Sequence, residues 1–194
     1  MTRQPLTSSQ TVGPFFHDCL LCTELRRNQL ASSQVIGERV RIEGRVLDGE
    51  GQAVPDAVIE IWQANHEGRY TDHANASDQP VDQAFTGFGR TGTDVNGAYW
   101  FETIKPGRVA FNDQTVQSPH ICVAVFARGL LNHLYTRIYF ADVPTNSDDP
   151  VLRCVPVERR PTLLAQPDRA SDSGVVYRFD IVLQGPGETV FFNI

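Results

Sequence analysis

The chain has 194 residues, 41% hydrophobic and 21% charged, the balance of a soluble globular protein with one well-filled core. Its formal net charge of -6 at pH 7 excludes a broad phosphate-binding face, and with it nucleic acid as a partner. No apolar run approaches the roughly 20 residues that a bilayer requires, and Met1-Thr2-Arg3-Gln4-Pro5 lacks the apolar centre of a secretory signal, so a cytoplasmic location without a membrane partner is expected.

One domain over 1–194 is expected, with residues 1–35 as an N-terminal arm and 36–194 as its core. Within the arm, Leu20, Leu21 and Leu25 suggest a short helix over Cys19–Arg27. Cys19 and Cys22 have zinc or redox spacing, but no second Cys/His pair stands at a matching separation. With Cys122 and Cys154 they are read as free thiols of a reducing compartment. Val40 to Val46 alternates apolar and polar positions and ends at the turn Asp48-Gly49-Glu50-Gly51, the pattern of a half-buried strand. Ala57 to Trp62 is a second strand, with Trp62 read as a core aromatic. Residues 66–92 are rich in Gly, Asp and Asn and read as a long loop, in which Arg90 serves as a fixing residue. Asn96-Gly97 is a two-residue hairpin signal that feeds a strand over Ala98–Ile104.

A second loop spans 105–119, followed by strands over Ile121–Ala127 and Leu134–Phe140. Pro156–Ala165 is compatible with a turn or two of helix, and the last strand alternates cleanly, with Tyr177, Phe179, Ile181 and Leu183 on one side. Many short strands divided by turn residues point to a mainly β fold, an antiparallel two-sheet β-sandwich. Long loops on such a frame are where function is expected.

The stretch from Ile59 to Tyr70, Ile-Glu-Ile-Trp-Gln-Ala-Asn-His-Glu-Gly-Arg-Tyr, resembles the signature of the aromatic-ring intradiol dioxygenases. The resemblance runs from about Gln10 to Ile194 and includes Gly44-Arg-Val-Leu-Asp-Gly, Gly87-Phe-Gly-Arg-Thr91 and Thr103-Ile-Lys-Pro-Gly107. It also includes Gln10-Thr-Val-Gly-Pro14, Phe126-Ala-Arg-Gly129 and Gln184-Gly-Pro-Gly-Glu-Thr-Val-Phe-Phe192. It implies a transthyretin- or immunoglobulin-like sandwich and a non-haem Fe(III) held by two Tyr and two His.

By that match Tyr70 and His120 stand at ligand positions, while the second Tyr is replaced by Val109 and the second His by Cys122. The Arg that stabilises substrate charge three residues before the first His is Gln117. Val109 offers no donor, a soft Cys thiolate suits zinc or copper(I) better than Fe(III), and a neutral amide cannot replace a guanidinium. No metal is therefore expected in this chain: Tyr70 packs in a vestigial pocket and His120 hydrogen-bonds within a core strand.

The resemblance further implies a homologous partner, a β subunit that carries the Fe(III), paired with this chain as αβ protomers of a higher oligomer. The substrates implied are O2 and a small aromatic acid, a carboxylated catechol. Thr11, Gly13, Pro14 and Arg128 would line the partner's cleft, the guanidinium favouring entry of an anion and Gly13 allowing close backbone approach. Gly13-Pro14 is equally consistent with a turn ending the arm, and Arg128 with an ion pair at the subunit interface to one of 23 acidic residues. A stand-alone binding or scaffolding domain descended from a dioxygenase is the alternative, and a self-sufficient dioxygenase is disfavoured by the triple change at Val109, Gln117 and Cys122.

Overall fold

The computed structural model describes residues 8–22, 25–71, 85–171 and 174–193. Its strands are β1 (Arg39–Leu47), β2 (Val58–Gln63), β3 (Phe88–Gly92), β4 (Ala98–Ile104), β5 (Val109–Ala110), β6 (Val116–Gln117), β7 (His120–Phe126), β8 (Leu134–Phe140), β9 (Leu164–Ser171), β10 (Gly174–Arg178) and β11 (Ile181–Val182). Period-two alternation decides their faces: Val40, Ile42 and Val46 are buried, as are Ile121, Val123 and Val125. A short helix, α1 (Pro14–Leu20), precedes them. No helix among the described residues is long and apolar enough to cross a membrane.

The mainly β class holds, but the sandwich expectation needs correction. Hydrogen-bonded neighbours run β1-β10-β9-β8-β7-β2-β3, with β4 on the other side of β1, in one sheet. The remaining gap, between β3 and β4, is spanned by residues 27–30. Arg27 and Arg90 exchange backbone bonds of 2.8 and 2.9 Å, and Glu102 takes part in two more, from Leu30 N and to Asn28 O, at 2.7 Å each. The result is a nearly closed, barrel-like sheet, which leaves fewer unpaired edges than two open layers would. Nor is it all antiparallel: β1 pairs in parallel with β10 and β11, and β8 with β9. The interior is one cluster that includes Ile42, Ile59, Ile61, Phe101, Ile121, Ile138 and Phe140.

Local expectations fail where long-range pairing wins. The helix forms at Pro14–Leu20 rather than Cys19–Arg27, because the backbone of 27–30 is committed to bridging β3 and β4; residues 23–24 of the expected helix lie outside the described residues. Asn96-Gly97 does turn, with the Asp94 carboxylate accepting from Asn96 N and Ala98 N at 2.8 and 2.9 Å. The strands it joins nevertheless part, β3 to β2 and β4 to β1, so it is no hairpin. Residues 88–92 of the expected loop form β3, and Arg90 is a strand residue whose Nε donates to Glu60 at 2.7 Å across to β2. The last strand is broken into β10 and β11 at Phe179–Asp180, although its burial still alternates.

That break has a cause in β1. A Cβ on Gly44 would lie 1.7 Å from the Phe179 carbonyl oxygen, so only glycine lets the chain cross there. The same oxygen accepts from the buried Tyr99 hydroxyl at 2.7 Å. Tyr99→Phe leaves that carbonyl without its donor and is expected to lower unfolding free energy by about 1–2 kcal/mol. Urea titration of both proteins checks this, and superimposable transitions would contradict it.

Candidate functional site

The outward faces of β2, β7 and β8 carry the residues singled out by the sequence. Register places Trp62 opposite Cys122 and Cys122 opposite Arg137, so the three form one row across three strands. His120 lies opposite Tyr139 in the neighbouring row. Trp62 is not a core aromatic; it is 37% exposed on this outer face, with Tyr70 stacked on it at 6.0 Å between ring centroids and 12° between planes.

Tyr70 is brought there by a turn built on Asn65. The Asn65 side-chain oxygen accepts from Glu67 N at 3.0 Å and from Arg69 N at 2.9 Å, while its carbonyl accepts from Gly68 N and Gly107 N. Gly68 adopts φ 81° against the Arg108 carbonyl, where a Cβ would collide at 1.8 Å. The loop bearing Tyr70 is thereby docked on Lys105-Pro106-Gly107. Lys105 is anchored in turn, its ammonium donating to Asp142 at 2.9 Å and to the Tyr177 hydroxyl at 3.0 Å. From this support β5 and β6 project as a short ribbon in which Val109 faces Gln117. All five positions of the expected vestigial centre, Tyr70, Val109, Gln117, His120 and Cys122, are linked within one region.

Three residues there were not anticipated. Arg137 donates from Nη1 to the Gln117 side-chain oxygen at 2.7 Å and lies 3.4 Å from the Tyr139 hydroxyl. Tyr139 donates to Asp149 at 3.0 Å. Asp149 is fully buried, and its carboxylate also accepts from Ser118 N, Val151 N and Leu152 N at 2.7–2.9 Å. The available signal was parity: in Tyr-Thr-Arg-Ile-Tyr, Arg137 and Tyr139 fall on the outward face, away from buried Thr136 and Ile138.

Burial dominates the titration of this cluster. His120 is 1% exposed with Nδ1 2.8 Å from the Ser118 carbonyl. Desolvation, reinforced by the Arg137 charge, pushes its pKa down to about 4. Desolvation raises the Cys122 thiol and the Tyr70 phenol, which share a hydrogen bond, although the Arg137 charge opposes both shifts. At neutral pH the three stand as neutral imidazole, thiol and phenol.

A family model described as "Dioxygenase" matches residues 12–185. The chain belongs to the intradiol dioxygenase family. Over 204 residues and the full length of both chains it is 43% identical to the protocatechuate 3,4-dioxygenase alpha chain of Burkholderia cepacia. It is also 35% identical to the beta chain from that organism, over 95% of this chain and 78% of the relative. The 3-chlorocatechol 1,2-dioxygenase structure of Rhodococcus opacus superposes with a TM-score of 0.64 over 79% of this chain and 63% of its own, at 20% identity, a likeness of fold.

The ferric ion of an intradiol dioxygenase does not fit these residues. The Val109 side chain offers no donor atom, a Cys thiolate suits zinc or copper(I) better than Fe(III), and a guanidinium lies in the same row as Cys122. No group of three or more His, Cys, Asp or Glu that could hold a metal occurs among the described residues.

A second constellation lies on the same face, four residues along β7 from Cys122, or about 13 Å. The Thr11 hydroxyl accepts from Gly129 N at 2.8 Å, which clips the arm to the loop after β7. Phe16 packs on Phe126 at 5.3 Å, and Phe126 on His133 at 5.2 Å. Thr11, Gly13 and the start of α1 at Pro14 thus adjoin the loop carrying Arg128. Arg128 is 70% exposed and pairs within the chain, Nε to Asp56 at 3.0 Å. A separate groove of about 490 Å3 beside β1 and β4 is lined by Arg41, Glu43 and Arg178, whose charges pair with one another or with Glu102 and Asp168.

His120 makes stability depend on pH. Between its ordinary value of 6.5 and about 4, the unfolded chain takes up a proton that the folded chain refuses. Unfolding free energy therefore falls as pH drops through that window, by up to about 3 kcal/mol. His120→Asn is expected to flatten the decline between pH 6.5 and 4.5 in urea titrations, whatever its effect at pH 7. An unchanged slope would assign the acid sensitivity elsewhere.

Proposed function

We propose that this chain is the α subunit of a protocatechuate 3,4-dioxygenase, inert by itself, which completes the cleft of a homologous iron-bearing β subunit. The observation that carries the reading is the full-length match to an alpha chain in a molecule whose own centre has Val109, Gln117 and Cys122 where a working site needs donors and a cation. The partner's Fe(III) supplies the Lewis-acid chemistry of ring cleavage. The overall reaction is protocatechuate plus O2 giving 3-carboxy-cis,cis-muconate, a step of the β-ketoadipate route, in which both oxygen atoms are retained and no group leaves.

This chain's part is to bind and enclose. Thr11, Gly13 and Pro14 form one wall, held in place by the Thr11–Gly129 bond. Arg128 brings a cation to an anionic substrate, its Nε held by Asp56 at 3.0 Å while the side chain stays 70% exposed. The αβ protomers assemble further into a larger oligomer.

Oxygen uptake with protocatechuate is expected only when this chain is co-expressed with its β partner; turnover by the isolated chain would overturn the reading. In the complex, Arg128→Ala is expected to raise KM for protocatechuate about tenfold, the loss of about 1.4 kcal/mol of binding, with iron content unchanged. KM for a catechol without a carboxylate should move little, and an equal rise for both would remove Arg128 from substrate recognition.

A further inference from the structure

We propose that Arg137 is the resident cation of the degenerate centre, taking electrostatically the place of the ferric ion and excluding a metal from it. The inference rests on membership of the intradiol family and is independent of the partner-subunit reading. Arg137 is fixed by register opposite Cys122, in the row that ends at Trp62 and its stacked Tyr70. Its guanidinium is also fixed by bonds, at 2.7 Å to Gln117 and 3.4 Å to Tyr139. Gln117 is itself buried and sits opposite Val109 on the β5–β6 ribbon.

The cation therefore bonds Gln117, which in turn pairs with Val109 across the ribbon. Arg137 faces Cys122 directly in the strand register, and His120 lies one row away opposite Tyr139, whose hydroxyl the guanidinium also bonds. Compensation comes from the buried Asp149 carboxylate through the Tyr139 hydroxyl. A second cation among the same side chains would meet repulsion that Asp149 offsets only in part, and in a partly desolvated site that repulsion is stronger than in water. Restoring ligands alone would thus leave the centre closed to metal.

The test compares iron uptake by Val109→Tyr/Cys122→His with that of the same double variant carrying Arg137→Gln. Both are loaded with iron and desalted, then assayed for bound iron and for the tyrosinate-to-iron absorption band. The double variant is expected to stay nearly iron-free and the triple variant to hold at least about tenfold more; Arg137→Lys, which keeps the charge, should behave like the double variant. Stoichiometric iron in the double variant, or no gain in a folded triple variant, would overturn the proposal. A second measurement needs no restored ligand: cobalt(II) titration of the native chain and of Arg137→Gln, followed by thiolate-to-cobalt absorption at Cys122. Cobalt is expected to bind Arg137→Gln at least about tenfold more tightly, and equal affinity would also overturn it.

Discussion

The register of β2, β7 and β8 places Trp62, Cys122 and Arg137 in one row, and a slip of one residue in any strand would send its member of the row into the core. Ile121, Val123, Ile138 and Phe140, all buried, hold that register from the other face. The outward face is consequently rigid without being buried by the core itself, and the loops that cover it can be assembled on it. Asn65 positions Tyr70 over Trp62, and Lys105, held by Asp142 and Tyr177, supports the ribbon that carries Val109 and Gln117.

A metal centre that loses its metal leaves polar groups in a partly desolvated place, and such groups must find partners or be replaced. Both are seen in this chain. Val109 sets an apolar side chain at a position that the motif match assigns to a donor. The remaining polar groups are connected in a chain from Gln117 through Arg137 and Tyr139 to Asp149. The region is a hydrogen-bonded, charge-compensated piece of structure, while a few residues along the same strand the arm and the Arg128 loop are exposed.

Strands with unbroken alternation were legible from sequence: the expected Leu134–Phe140 is β8 to the residue, and Val40–Val46 lies within β1. β3 was not legible because Gly87, Gly89 and Gly92 interrupt its pattern; Gly89 is there because a Cβ would crowd Ile61 and Leu30 at 2.8 and 2.9 Å. Closure of the sheet was equally hidden, since it depends on backbone bonds of 27–30 that no side-chain pattern announces. Within the site, the motifs named Tyr70, Val109, Gln117, His120 and Cys122, and the fold brings these five residues into one region. Arg137 and Asp149 were not legible, because a charged residue mid-strand and an Asp in a turn become informative only when the chain brings them to His120 and Cys122.

We assign the iron to the partner subunit, and walls and charge to this chain. Diffraction from the co-expressed complex at the iron absorption edge decides between the chains, because anomalous scattering locates each iron atom. One strong peak per αβ pair is expected, in the β subunit, with none near Tyr70 and His120. A second peak beside those two residues would contradict both the silent centre and the role given to Arg137.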